Sequence, residues 1–100
     1  MLKIFQVDEY QTVVAESVEE AKEFYINELD GEEDSFDGDE VNPDKKTMWV
    51  ALTDLPTQYH VPPYKEWEGD LCAKVSLRVA MEVFRERKAP YILSVSAALL

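Results

Sequence analysis

The chain has a single cysteine, a single histidine and only three glycines. Cys72 has no second cysteine to pair with, which excludes an internal disulfide framework and a multi-cysteine metal site. Gly31, Gly38 and Gly69 stand apart, and isolated glycines cannot build the phosphate-cradling turn of a nucleotide site. There is no Gly-x-Ser-x-Gly elbow and no readable Cys–His pairing, so no catalytic residue is assigned and a non-enzymatic protein without a cofactor is expected. No apolar run approaches the length that crosses a bilayer, and residues 1–8 turn polar too soon for a signal peptide. A cytoplasmic location is the expectation.

Basic side chains are scarce in the first seventy residues, where five stand against nineteen acidic ones for a net −14. Residues 71–100 carry five basic and two acidic side chains, a net +3, and the whole chain is −11. Charge of this sign opposes binding to DNA, RNA or an anionic membrane through the acidic part. It suits a basic partner, a cation, or solubility alone. What the chain does have is a 46% apolar share that includes eleven aromatics, enough for a compact core and too much for a disordered acidic tail. One hundred residues make one ordinary domain.

Residues 2–7 and 10–15 read as strands joined by a polar turn at Asp8-Glu9. Ser17 and Glu20 form a capping-box pair, and Val18, Ala21, Tyr25 and Leu29 recur at helical spacing. With Gly31 as a left-handed helix end, this predicts a helix over 18–29. Nine of residues 28–44 are acidic, so a solvated acidic loop is expected at about 30–46. Residues 47–53 suit a central strand. The proline-rich stretch 54–70 reads as irregular, with Tyr59, Tyr64 and Trp67 folding it back onto the body. Residues 71–75 read as a strand, Ser76 as the cap of a helix over 77–88 stopped by Pro90, and 91–95 as a last strand. The expected architecture is a single α+β domain, order β-β-α-β-β-α-β, with one mostly antiparallel sheet of four or five strands and two helices on one face. The apolar tail 94–100 would complete the sheet or join a homodimer.

Aligning Gly38 with the turn glycine of a calcium loop puts Glu33, Ser35, Asp37, Asp39 and Asp44 at the ligand positions. Glu in the first place, a short Asp in the last and Pro43 just before it depart from that pattern, and no metal site is assigned. Lys74, Arg78, Arg85, Arg87 and Lys88 read as a solvated cationic face, His60 as a packing or surface histidine, and Cys72 as a small buried hydrophobe. The acidic block is different. Glu16, Glu20, Glu23 and Glu28 fall roughly along one side of the first helix, with Glu19 close by. Like charges four apart destabilise a helix, so helix stability does not account for them. Carboxylates four residues apart repeat about every 6 Å, a spacing of the order of successive phosphates. The expected partner-binding set is Glu16, Glu19, Glu20, Glu23, Glu28, Asp30, Glu32, Glu33, Asp34, Asp37, Asp39 and Glu40.

Four stretches are similar to a loose group of small phage and prophage proteins: residues 3–8, 14–21, 48–49 and 90–94. The resemblance transfers no functional residue. It implies a counter-defence role of the kind filled by acidic anti-CRISPR and anti-restriction DNA mimics. The expectation is therefore an inhibitor in the host cytoplasm that occupies a basic nucleic-acid-binding surface of a host defence complex. The alternative is a structural or regulatory phage protein that meets its partner through Trp67, Tyr64 and the C-terminal tail.

Overall fold

The structure, a computed structural model, describes residues 1–95. In chain order the elements are β1 (Lys3–Gln6), β2 (Gln11–Ala15), α1 (Val18–Glu28), β3 (Asp39–Glu40), β4 (Thr47–Ala51), β5 (Tyr64–Trp67), β6 (Asp70–Ser76), α2 (Leu77–Val83) and β7 (Tyr91–Val95). Single 3-10 turns lie at Glu33–Ser35 and Thr57–Tyr59. Helices and antiparallel strands in this mixture make the α+β class that the sequence predicts.

The strands divide between two sheets instead of forming one, in the orders β3-β1-β2-β7 and β4-β6-β5. The reason lies in the edges: β3 and β7 take both flanks of the β1–β2 hairpin, leaving β4 to pair only with β6. The hairpin itself sets Ile4 opposite Val14 and Phe5 opposite Val13. Its turn has no Asn-Gly; the Asp8 carboxylate shapes it instead, accepting from the N–H groups of Tyr10 at 2.8 Å and Gln11 at 2.9 Å.

β2 is buried from Thr12 to Ala15, with no polar alternation. Such a strand needs cover on both faces. Phe5, Val7, Val13 and Ala15 meet Ala21 and Tyr25 of α1 on one side. Ile4, Val14, Tyr91 and Leu93 meet Leu77 and Ala80 of α2, with Val50, Ala73 and Val75 of the smaller sheet, on the other. The expectation of two helices on one face is thus corrected: they lie on opposite faces of the four-stranded sheet.

Both serine caps form as the sequence predicts. Ser17 Oγ accepts from the Glu20 N–H and Ser76 Oγ from the Val79 N–H, each at 3.2 Å. At the end of α1 it is Asp30, not Gly31, that takes the left-handed conformation, with φ 54°. Gly31 has another role: its N–H donates to the Tyr25 carbonyl, and a Cβ there would overlap the Tyr25 ring. α2 stops at Val83, well short of Pro90, because bonds from Arg85 to Glu82 and from Arg87 to Phe84 tighten the chain into turns.

The strand at 47–53 is an edge, and the central place belongs to β6. The stretch expected to be irregular contains β5, which returns into β6 through Glu68-Gly69, both at positive φ (50° and 87°). That is the geometry of a two-residue hairpin turn, hidden in the sequence by glutamate at its first position. Tyr64 and Trp67 remain 41% and 39% exposed, so they do not fold back onto the body. The tail beyond Val95, expected to complete the sheet or a dimer, lies outside the described residues.

Candidate acidic interface

Ala21 and Tyr25 bury one side of α1, which leaves Glu19, Glu23 and Glu28 exposed on the rest of its surface. The acidic segment that follows is ordered, because several backbone bonds tie it to the sheet. The N–H groups of Asp37, Gly38 and Val41 donate to the carbonyls of Val7, Gln6 and Ile4 at 2.8–2.9 Å. Tyr25 and Ser35 share a hydroxyl hydrogen bond of 2.8 Å, and the Phe36 ring packs 5.8 Å from that of Tyr25. Gly38, at φ 76°, is needed in the bend, since a Cβ would meet the Phe36 ring at 2.8 Å.

Of the twelve expected residues, eleven are exposed and Glu20 is half-buried. Four are committed within the chain. Glu16 pairs with the N-terminal ammonium at 2.9 Å, Lys22 with Glu33 at 2.9 Å and Lys3 with Glu40 at 3.4 Å. Glu20 accepts from the Glu16 N–H at 3.0 Å, completing the cap one residue earlier than the usual reciprocal bond. The Lys22 hydrogen bond, and then its charge, holds the Glu33 carboxyl below the usual carboxylate range. The remaining eight, Glu19, Glu23, Glu28, Asp30, Glu32, Asp34, Asp37 and Asp39, have no side-chain partner among the described residues.

The twelve do not form one row. Glu20, Glu23 and Glu28 line a shallow groove of about 300 Å³ with Phe24, Asn27 and Pro90. Asp34 and Asp37 lie apart from it, in a groove of about 430 Å³ shared with Asp8, Glu9 and Tyr10. Asp39 and Glu40 sit on β3 beside Lys45 and Lys46, where the local charge is mixed. In the sequence Asp8 and Glu9 read only as a turn. Only the fold brings that turn to the acidic segment, twenty-five residues on.

The other sequence features also find places. Glu33 and Asp44, the first and last positions of the calcium-loop alignment, are turned to Lys22 and Arg78. No group of three or more metal-ligating side chains occurs among the described residues. Arg78 holds Asp44 through two bonds of 2.6 and 2.8 Å, which keep the Asp44 carboxyl below its usual range. His60 Nε2 lies 3.0 and 2.9 Å from the carbonyls of Leu52 and Leu55, so this nitrogen carries the proton and pins the β4–β5 connection. Cys72 is buried, and burial, with Asp70 nearby, pushes its thiol up. No helix among the described residues is long and apolar enough to cross a membrane. Comparison of the chain with protein-family models, with curated proteins and with solved structures gives no match.

Proposed function

We propose that this is a non-enzymatic acidic binding protein whose α1 face and following segment occupy the basic nucleic-acid-binding surface of a partner, as a DNA mimic does. The observation that carries the reading is the set of eight exposed carboxylates that have no cation partner among the described residues. Left unpaired, they keep their full charge available for a partner's arginines and lysines. Binding of this kind comes from many moderate charge contacts, with fast association and steep salt dependence. The resemblance to phage proteins extends the proposal to an inhibitor of a host defence complex, in the manner of an anti-CRISPR protein, acting in the host cytoplasm.

The test is reversal of Glu19, Glu23 and Glu28 to lysine. Glu20 is left intact because it caps the helix. A pull-down from the native host, eluted with rising salt, should yield a basic nucleic-acid-binding protein with the parent and not with the triple variant. Equal capture by both would sink the proposal. The alternative reading, recognition through an apolar surface, draws support from the exposure of Val61, Tyr64, Trp67 and Leu71. It predicts capture that resists salt and is lost on Trp67→Ala.

A further inference from the structure

The two edges of the three-stranded sheet differ in what they offer a second copy of this chain. Leu52 donates to the Leu71 carbonyl and Leu77 to that of Lys46, in register with the β4–β6 pairs. Bonded pairs alternate along a ladder, so Met48 and Val50 direct their backbone groups to β6, while Thr47, Trp49 and Ala51 direct theirs outward. Among the described residues only the Asp54 N–H reaches this outer row, at the Ala51 carbonyl. β4 holds no charged residue and no proline, and natural edges are normally protected by one or the other.

Two-fold symmetry restricts how such an edge can pair with its copy. Opposite residues of an antiparallel pair share a face, and neighbours along a strand alternate faces, so residue i must meet a residue of its own parity. Centred on Trp49, β4 satisfies this over its full length. Trp49 meets its own copy, Thr47 meets Ala51, and Met48 packs against Val50 on the core side. The outward groups of Thr47, Trp49 and Ala51 then face one another. β5 fares worse under the same rule. Pairing centred on Lys65 or Glu66 sets like charges directly opposite, and Pro62 and Pro63 interrupt the edge just before it.

We infer that β4 is a self-complementary edge through which two copies of this chain join their three-stranded sheets into one of six strands, in the order β5-β6-β4-β4-β6-β5. Each copy carries a charge of −11, so repulsion opposes the contact at low salt and screening favours it. Salt therefore strengthens this contact and weakens binding through the acidic face, which keeps the two readings separable.

The experiment is sedimentation of the full chain from about 10 μM to about 1 mM protein, in low and high salt, with amide hydrogen exchange at both concentrations. The expected result is a dimer that tightens with salt. In it the amides of Thr47, Trp49 and Ala51 slow by about tenfold or more, while those of Met48, Val50, Tyr64 and Glu66 do not change. Thr47→Pro removes an outward donor without touching the ladder to β6, and Trp49→Lys sets like charges at the centre. Each should return the protein to a monomer, whereas Glu66→Lys on the opposite edge should not. A monomer under every condition, or a dimer in which Thr47, Trp49 and Ala51 exchange as in the monomer, overturns the inference. The exchange measurement uses the unaltered protein and decides the matter even if a variant fails to fold.

Discussion

On one face of the four-stranded sheet, Glu19, Glu23 and Glu28 of α1 have no cation partner among the described residues. On the other, Arg78 and Arg85, from α2 and the turn after it, close onto Asp44 and Glu82. The cores beneath are alike, since each helix buries small and large side chains in a cluster that includes residues of β2. Burial decides the inward residues on both faces and leaves the outward ones free to vary. The difference in pairing therefore does not arise from the needs of the fold. On the α2 side these cations are used within the chain, whereas on the α1 side the charge stays available to another molecule.

The widest gap between the faces should come from truncating the core under α2. Leu77 is 1% exposed and belongs to the core cluster that draws on strands of both sheets, so Leu77→Ala should cost about 2–5 kcal/mol in chemical denaturation. If the layers fold together, the fluorescence of Trp49 and Trp67 and far-UV circular dichroism will report one shared midpoint. A second transition confined to the α1 layer would divide the molecule along the sheet. A smaller loss is expected under α1 from Gly31→Ala, at about 1–3 kcal/mol, because the new methyl must displace the Tyr25 ring. Repeating the change in a Tyr25→Leu background should remove most of that penalty. A cost that survives there would point to the backbone instead of the ring.

The same two layers show why parts of the structure were legible in the sequence and others were not. Ser17 and Ser76 announce their helices through local chemistry, and local chemistry survives any tertiary arrangement. The strands at Val13-Val14 and Val75 likewise follow from composition. The side on which each helix packs is a non-local choice, and the run Thr12-Val13-Val14-Ala15 does not name the elements that cover its two faces. β5 is not legible locally, because Glu68 takes a turn position usually held by asparagine or aspartate and because aromatics such as Tyr64 and Trp67 read as packing residues, not as an exposed edge. In the acidic region the charge was visible at once. Its division into two grooves was not, since Asp8 and Glu9 reach Asp34 and Asp37 only through the backbone bonds from Asp37 and Gly38 to Val7 and Gln6.

The smallest effect separates the two surfaces by sign. Arg78 holds the Asp44 carboxyl below its ordinary 3.8, mainly through their hydrogen bonds. A carboxyl depressed by folding stabilises the native state fully above that ordinary value, and the contribution fades as pH falls through the lower folded one. Arg78→Ala should therefore lower Tm slightly near pH 7, and the difference from the parent should shrink as pH falls below the ordinary value and the folded carboxyl takes up its proton. Glu23→Lys on α1 should do the reverse near pH 7. It breaks no pair among the described residues, and it relieves repulsion from Glu19 four residues away, so Tm should hold or rise. Thermal melts of the two variants beside the parent would show whether the contrast is real. If both lower Tm equally near pH 7, Glu23 has a partner inside the fold, and the α1 carboxylates are no more available to another molecule than Asp44 is.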